Sequence, residues 1–521
     1  MVIQALVKAG EYHDSVVLML VSRELGAMPG VLDVSVVMGT EANKSLLQQA
    51  GLLNTETQAA GPNDLVIAVK AKDAEAAQAA LAGAQRLLSQ KAASSHVGGP
   101  ARPKSIRSAI RSAPQANVAV VSVAGQYAAA QAWDALRAGL HVLLFSDHVS
   151  LEDEIALKEY ARDHGLLLMG PGAGTAIING VGLGFANAVP RGPIGIVAAA
   201  GTGLQEASTL IAKAGLGLTQ GIGVGGRDVS EAVGGIMLLE GLTALQANPE
   251  TRVILVVSKL PSPVVTDKII VQVQRSDKPT ALALFSNFKF QISNFEGYVA
   301  EDLREAAVMA AALARGESID AAHKRLAGED KSLKVKARAL RRKLNDRQRY
   351  VRGLYSGGTL CEEAMRLWQE PLGEVWSNAP LDPRFKLADS GKSKRHTAID
   401  LGEEEFTIGR PHPMIDNALR VKRLLREARD PSVAVIALDV VIGYGAHPDP
   451  ASELGPAIAE ARQIAAKRGC ELIVVASVTG TEGDPQGLTR QVTALRKVGA
   501  VVVDSNAAAA RLAAWVVEGK A

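Results

Sequence analysis

Two short stretches of this sequence share a pattern whose residue types are suited to binding an anion. Residues 201–207 ("GTGLQEA") and 358–364 ("GTLCEEA") both read Gly-Thr-x-x-x-Glu-Ala, and each follows an apolar run and opens a helical pattern. Backbone N–H groups and the partial positive charge at a helix N-terminus bind phosphate or carboxylate, and a Thr hydroxyl there caps the helix or donates to the anion. The anion-binding residues predicted in these turns are Gly201, Thr202, Gly203, Gly358 and Thr359.

A second glycine turn follows in each half of the pattern, and each contains an arginine. Gly225, Gly226 and Arg227 form the first, and Gly409 with Arg410 forms the second. A guanidinium can fork onto carboxylate or phosphate, which makes Arg410 a candidate for stabilising charge in a reaction. Singly, each turn is equally well explained as an ordinary strand-to-helix turn. Two copies that each combine a Gly-Thr turn with an Arg turn predict an anion site.

Two histidines stand in proline-flanked turns in the second half. His412 lies in "RPHPMID" and His447 in "GAHPDP", with Asp416 and Asp449 close by in sequence. An imidazole beside a carboxylate can bind a metal or transfer protons, so both histidines are candidate catalytic residues. The alternative is that these turns cap helices and face solvent. No metal-ligand set is assigned.

The order of apolar runs and turns predicts an α/β protein that contains an internal duplication. Each half continues from its Gly-Thr turn to a Gly-Arg turn, an amphipathic helix, an Asn/Asp-Pro loop and buried strands, and the second carries an insertion near residues 367–396. Uniformly apolar strands are typical of parallel sheets covered on both faces. The predicted parts are a small βαββαβ (ACT-like) domain at 1–92, a mobile linker at 93–116, a partial Rossmann-type domain at 117–190, a flavodoxin-like domain at 191–300, a charged helical connector at 301–350 and a second flavodoxin-like domain at 351–521.

Composition narrows the class of protein. The 521 residues suffice for three or four domains, and 47% hydrophobic with 4% aromatic residues predicts aliphatic cores. A formal charge of +3, without a basic stripe interleaved with aromatics, argues against nucleic-acid binding. The two cysteines, Cys361 and Cys470, form no Cys-x-x-Cys pair, which excludes a disulfide framework and fits a reducing cytoplasm. Cys361 is either a nucleophile at a helix N-terminus or a small buried residue. No apolar run predicts a signal peptide or a membrane span.

Longer motifs resemble a known family. "GPIGIVAAAGTGLQEA", "GIGVGGRD" and "LLLMGPGAGTAIING" resemble the succinyl-CoA synthetase α-subunit, and "GRPHPMID" with "GAHPDPASELGPAIAEA" narrows the resemblance to the FdrA family of acyl-CoA synthetase-like proteins. The resemblance implies that residues 117–190 are a CoA-binding-like domain and that the two repeats pair face to face. It implies a CoA pocket bordered by Gly170, Pro171 and Gly172, and phosphate sites at the Gly-Thr turns to which Glu206 and Glu363 belong as catalytic candidates.

The sequence departs from the synthetases where they carry a phosphorylated histidine, because no His lies between His164 and His323. The function implied first is therefore an enzyme subunit of the oxamate carbamoyltransferase type, which converts oxalurate and phosphate to oxamate and carbamoyl phosphate in purine or allantoin nitrogen catabolism. The alternatives are a nucleoside-diphosphate-forming acyl-CoA synthetase and a non-catalytic CoA- or metabolite-binding regulator. The implied partners are an anionic substrate, phosphate, and other subunits or a second copy. CoA and Mg²⁺ are the open cofactor candidates.

Overall fold

The computed structural model describes residues 1–11, 13, 15–94, 103–285, 297–407 and 410–518. The chain divides into two compact units, one of residues 1–115 with 404–412 and one of residues 116–403 with 413–521. Each unit is described by itself.

The first unit is a small α+β domain, as the sequence predicts. Its elements are β1 (Val2–Lys8), α1 (Ser15–Gly26), β2 (Val31–Met38), α2 (Glu41–Gln49), α3 (Thr55–Ala59), β3 (Leu65–Ala71), α4 (Ala74–Ser94) and α5 (Ile106–Ser112). The sheet is antiparallel in the order β1-β3-β2. Side chains alternate along β3, so that Ile67 and Val69 join the core formed with α1 and α4, while Val66 and Ala68 pack with Leu47 on the opposite face.

Two elements of this unit differ from the prediction. Helix α3 was not predicted; it begins at a capping box in which the Asn54 side chain accepts from the Thr57 N–H at 2.9 Å and the Thr57 hydroxyl accepts from the Asn54 N–H at 2.8 Å. The predicted linker contains α5, which begins at a similar box between Ser105 and Ser108, while residues 95–102 lie outside the described part of the chain. The described residues of the unit contain three strands, without the last strand of the predicted βαββαβ order.

The second unit opens with a three-stranded parallel sheet in the order β4-β5-β6. Its elements are β4 (Val118–Val121), α6 (Gly125–Arg137), β5 (His141–Leu144), α7 (Leu151–Asp163) and β6 (Leu168–Met169). The predicted Rossmann-type domain at 117–190 is therefore shorter than expected. The hairpin of β7 (Thr175–Ile178) and β8 (Val181–Gly184) belongs to the next sheet, because β7 pairs antiparallel with the strand at Leu218–Gly223.

The next sheet has seven strands and contains the first repeat. Its remaining elements are β9 (Arg191–Ala199), α8 (Gly201–Lys213), β10 (Leu218–Gly223), α9 (Ile236–Ala247), β11 (Val253–Ser258), α10 (Pro263–Gln274), β12 (Thr280–Leu284), β13 (Gly297–Val299), α11 (Leu303–Arg315) and α12 (Ile319–Arg341). The strand order is β13-β12-β11-β9-β10-β7-β8. Helix α11 follows the last strand and packs on α8, so the predicted connector at 301–350 begins inside the first repeat.

The second repeat is a six-stranded sheet in the order β15-β16-β14-β17-β18-β19, parallel throughout. Its elements are β14 (Tyr350–Tyr355), α13 (Gly358–Leu372), β15 (Val375–Ser377), β16 (His396–Asp400), α14 (Glu404–Thr407, in the segment of the first unit), α15 (Ala418–Glu427), β17 (Val433–Val441), α16 (Pro450–Ala466), β18 (Ile473–Thr479), α17 (Leu488–Lys497), β19 (Val501–Val503) and α18 (Asn506–Val517).

The two sheets confirm the α/β class and the duplication. Five parallel strands run as β10-β9-β11-β12-β13 in one sheet and as β16-β14-β17-β18-β19 in the other, which is the flavodoxin-like order 2-1-3-4-5 in both. Helices α8, α11, α13 and α18 contact one another between the sheets. Small side chains such as Ala310, Ala364 and Ala510 lie in one core cluster there, which lets the four helices approach closely.

Candidate active site

The two Gly-Thr turns lie against each other where α8 and α13 begin. A Cβ added to Gly357 would lie 3.0 Å from Thr202 Oγ1, and a Cβ added to Gly203 would lie 3.1 Å from Thr359 Cγ2. The preceding residues, Ala200 and Gly357, give neither helix a side-chain cap. Two helix N-termini, each with a partial positive charge, thus meet at one place. The structure brings together the two turns that the sequence paired only by pattern.

The two glutamates of the repeated pattern tie the halves together. Glu206 Oε1 accepts from the N–H of Asn506, the first residue of α18, at 2.8 Å, and Glu363 Oε1 accepts from the N–H of Leu303, the first residue of α11, at 2.8 Å. Glu206 Oε2 accepts from the Thr479 hydroxyl, and Glu363 Oε2 accepts from Asn506 Nδ2 at 2.7 Å. Each glutamate therefore bonds the first amide of a helix in the opposite repeat, α18 for Glu206 and α11 for Glu363.

Both carboxylates are buried. Burial, together with the Asp302 carboxylate, raises the pKa of Glu363 to about 8, although the Leu303 N–H and Asn506 oppose the rise. These contacts give the glutamates a structural part, and a catalytic part for Glu206 and Glu363 stays a prediction. Cys361 is also fully buried, and burial with the nearby carboxylates of Asp400 and Asp439 raises the pKa of its thiol well above the usual range. Burial and the raised pKa of the thiol favour the alternative that Cys361 is a buried small residue.

The glycine turns at 170–172 and 225–227 pack on each other. Gly225 has φ +84°, and a Cβ there would lie 2.5 Å from the Pro171 carbonyl oxygen. Gly226 lies close to the start of α8, since its Cβ position is 3.9 Å from the Ala199 carbonyl oxygen. The predicted second anion turn and the predicted CoA-bordering turn, which also includes Gly172, are therefore adjacent to the first Gly-Thr turn.

The guanidinium of Arg227 is held by α7. Its Nε lies 2.8 Å from Glu154 Oε2, and its Nη2 donates to the Val149 carbonyl oxygen at 2.7 Å. The same glutamate binds Lys158, whose Nζ lies 2.8 Å from both Glu154 Oε1 and Asp228 Oδ1 in a fully buried cluster. A role for Arg227 in holding an anion would compete with these contacts.

The histidine and arginine candidates of the second half are divided between the two units. Arg410 is exposed and His412 is half-buried, and both belong to the first unit, while Gly409 lies outside the described residues. In the second unit, His447 is buried; its Nδ1 accepts from the Asp449 N–H at 3.0 Å and its Nε2 lies 3.1 Å from Glu453 Oε1. His447 thus fixes the turn into α16. Within the described ranges no group of three side chains could hold a metal ion.

Polar side chains that support the start of α13 come from the carboxyl ends of neighbouring strands. Asp439 on β17 accepts from the N–H groups of Ser356 and Gly357, each at 2.8 Å, and pairs with Arg420 at 3.0 Å. Asp400 and Lys259 also lie beside Gly358 and were not identified from the sequence. The signal that could have found them is their place directly after apolar strands, at the edge where α/β sheets bind ligands.

Comparison with known proteins places this geometry in context. The family model "CoA-ligase" matches residues 354–516, and the model "AllF, heavy metal-associated domain" matches residues 1–103. The uncharacterized protein YahF of Escherichia coli (strain K12) is 42% identical over 509 residues, which cover 97% of each chain. Succinate–CoA ligase subunit alpha of Aquifex aeolicus (strain VF5) is 29% identical over 151 residues, which cover 28% of this chain and 48% of that subunit.

The chain spans about half the length of the ligase subunits that it matches. The succinate–CoA ligase alpha subunit from Methanothermobacter thermautotrophicus is 25% identical over a segment that covers 28% of this chain and 49% of that subunit. The solved structure of PH0766 from Pyrococcus horikoshii OT3 is 15% identical, covers 81% of this chain and 88% of that chain, and has a TM-score of 0.34. The predicted resemblance to succinyl-CoA synthetase α-subunits is confirmed, and the narrower FdrA assignment stays a prediction. Among the described residues, no helix is long and apolar enough to cross a bilayer.

Proposed function

The chain belongs to the same family as YahF of Escherichia coli and contains a CoA-ligase domain, and we propose that it is an enzyme subunit that forms or uses an acyl phosphate where α8 and α13 begin. The observation that carries the proposal is the contact between the two uncapped Gly-Thr turns. Two converging helix N-termini suit the charge of a phosphoryl group better than one does.

The site would bind phosphate through backbone N–H groups rather than through charged side chains. The glycines let the two helix ends approach each other closely. In the transfer step, donors fixed by the two helices would stabilise the charge that develops on the phosphate and on the acyl oxygen without reorganising. Thr202 and Thr359 supply the hydroxyl groups of the two turns.

We take acyl transfer between CoA and phosphate as the first candidate reaction, because the relatives named succinate–CoA ligases carry out ligation with CoA. The glycines of the predicted CoA turn are required by packing within the chain, since a Cβ on Gly170 would lie 2.2 Å from the Leu144 carbonyl oxygen. This packing gives no separate reason to place CoA there. The described residues likewise provide no Mg²⁺ ligand set.

Carbamoyl transfer from oxalurate to phosphate is the second candidate reaction. The observation that favours it is the absence of any histidine between His164 and His323 in the sequence, the region in which the synthetases carry a phosphohistidine. Direct attack of phosphate on a carbamoyl carbon needs an anion site and a proton donor but no phosphorylated side chain. The relatives named as subunits lead us to expect partner subunits for either reaction.

The test identifies the phosphorylated product of the reaction. The chain, alone and with partner subunits, is incubated with phosphate and either an acyl-CoA or oxalurate, and the phosphorus spectrum is recorded. An acyl phosphate with free CoA supports the first candidate, and carbamoyl phosphate supports the second. T202V and T359V should each weaken phosphate binding about tenfold through loss of a hydroxyl donor to an anion, whereas T243V, on exposed α9 surface, should not. Unchanged phosphate affinity in both turn variants would refute the site.

A further inference from the structure

We infer that Asp400 takes up a proton when an anion binds at the start of α13, with Lys259 as its counter-charge. The inference rests on the proposed function, because it assigns a proton-holding group to the same site. Neither residue belongs to the repeated Gly-Thr pattern. Each comes from a different half of the duplicated fold.

Asp400 is held in a fixed position at the end of β16. Its N–H donates to Asn378 Oδ1 at 3.0 Å, and its carbonyl oxygen accepts from Asn378 Nδ2 at 2.9 Å. On the side chain, Oδ1 accepts from the Gly402 N–H at 2.9 Å. The other oxygen, Oδ2, lies 2.6 Å from the position that a Cβ on Gly358 would occupy. The carboxyl group, in a residue that is 5% exposed, therefore faces the first residue of α13.

Lys259 reaches the same place from the first half. It follows β11, and its Nζ lies 3.8 Å from the same Cβ position on Gly358. The charged and titratable groups around Asp400 are Lys259, Glu403 and Asp439, and on α13 Cys361 and Glu362. Burial raises the pKa of Asp400 to about 7, Glu403 and Asp439 add to the rise, and the Gly402 N–H and Lys259 oppose it.

An anion and an ionised carboxylate compete for the positive end of α13. Anion binding therefore favours the protonated form of Asp400, which neutralises the carboxylate and supplies a hydrogen-bond donor. In the transfer of an acyl group from an amide nitrogen, phosphate oxygen bonds to the carbonyl carbon while the C–N bond breaks. The proton of Asp400 goes to the leaving nitrogen, so that, with oxalurate as the substrate, carbamoyl phosphate, oxamate and the Asp400 carboxylate result. The proton that Asp400 takes up when the anion binds is the proton that the leaving nitrogen needs.

The test uses sulfate, because sulfate does not titrate near neutral pH. Calorimetry in two buffers of different ionisation enthalpy measures the protons taken up per sulfate bound. With a pKa of about 7 for Asp400, the protonated fraction falls about tenfold between pH 6 and pH 8, so sulfate affinity should fall about tenfold over that range. Uptake should approach one proton per sulfate at pH 8.

Three variants make the assignment specific. D400N should bind sulfate with no proton uptake and with an affinity that does not change between pH 6 and pH 8. D389N, which removes an exposed carboxylate of the same repeat, should behave as the wild type. K259M should weaken sulfate binding at pH 6 and move the pH midpoint upward, because Lys259 lowers the pKa of Asp400. Circular dichroism verifies that each variant is folded.

The outcomes separate the two proposals. Sulfate binding to the wild type with the same proton uptake as D400N would overturn the role of Asp400 and leave the anion site standing. Absence of sulfate binding in the wild type and in D400N would overturn both. A D400N variant that binds sulfate more tightly than the wild type at pH 8, and equally at pH 6, is the expected result.

Discussion

Replacing Glu363 with alanine tests whether the packing of the two repeats depends on the glutamate hydrogen bonds that run from each repeat to the other. The substitution removes the acceptor of two buried hydrogen bonds: the Leu303 N–H loses its acceptor at 2.8 Å, and Asn506 Nδ2 loses the carboxylate at 2.7 Å but keeps the Leu360 carbonyl oxygen at 2.9 Å. Each unsatisfied buried donor costs roughly 1–3 kcal/mol. We therefore expect E363A to lower the free energy of unfolding of the second unit by about 4 kcal/mol.

The assay is denaturant unfolding followed by tryptophan fluorescence. All four tryptophans, Trp133, Trp368, Trp376 and Trp515, lie in the second unit, so their fluorescence reports on that unit alone. The matched control is E370A, which removes an exposed glutamate from the same helix and should change stability by less than about 0.5 kcal/mol. A loss below about 1 kcal/mol in E363A would refute the structural role.

The pH dependence of E363Q provides the second arm of this prediction. The pKa of Glu363 is raised from 4.5 to about 8 in the folded protein, so its stabilising contribution is complete below pH 4.5 and is lost as pH rises through 8. The full loss amounts to about 5 kcal/mol. E363Q cannot titrate, and its amide oxygen can still accept from the Leu303 N–H. The stability difference between wild type and E363Q should therefore change over this window. A constant difference would refute the raised pKa.

Three further substitutions probe the neighbouring structure. G203A should destabilise the second unit by about 1–3 kcal/mol and weaken phosphate binding, because its Cβ would lie 3.1 Å from Thr359 Cγ2. G328A, in an open position of α12, should instead raise the free energy of unfolding by up to about 1 kcal/mol, and unfolding curves compare the two variants. Burial, together with Arg352 and Arg395, lowers the pKa of His396 from 6.5 to about 4. The free energy of unfolding should therefore fall by about 3 kcal/mol as pH drops from 6.5 through 4, and H396Q should lose this dependence in acid titrations. K158M should cost about 3–5 kcal/mol, because it removes the cation that the buried carboxylates Glu154 and Asp228 share; thermal unfolding would show this loss against the exposed-site variant K324M.

The sequence was sufficient to predict the duplicated α/β architecture because the pattern is local. A Gly-Thr turn after an apolar run specifies a strand followed by a helix, and two copies with the same downstream order specify two related sheets. The structure confirms this in the shared 2-1-3-4-5 strand order. Turn glycines and apolar strands predict the strand-to-helix order from about ten neighbouring residues.

Contacts between distant segments could not be predicted in the same way. The segment Thr175–Ile178 was predicted to belong to the Rossmann-type domain. It pairs instead with β10, about forty residues further along the chain. The family resemblance assigned Glu206 and Glu363 to the predicted sites, and the structure shows in addition that each bonds the first amide of a helix in the opposite repeat. His447 read as a catalytic candidate, and its bonds to Asp449 and Glu453 depend on the turn geometry that only the folded chain shows. Contacts across the fold give these residues structural partners that the local sequence does not show.

The duplication is broken at the site itself, and the strand registers show why. Ala198 and Tyr355 each stand three residues before the glycine of a Gly-Thr turn; Ala198 pairs with Gly223 on β10, and Tyr355 pairs with Asp400 on β16, so Gly223 is the counterpart of Asp400.

A side chain cannot replace Gly223 without a shift, because its Cβ would lie 2.1 Å from the Thr175 carbonyl oxygen of the antiparallel hairpin. In the second repeat the flanking strand is β15, which pairs parallel with β16, and Asp400 fits. The added hairpin thus excludes a carboxyl group from the first turn, while the second turn has one. Two similar helix N-termini therefore meet with a carboxyl group at only one of the two equivalent strand positions, and that asymmetry would give the proposed reaction a direction for its proton.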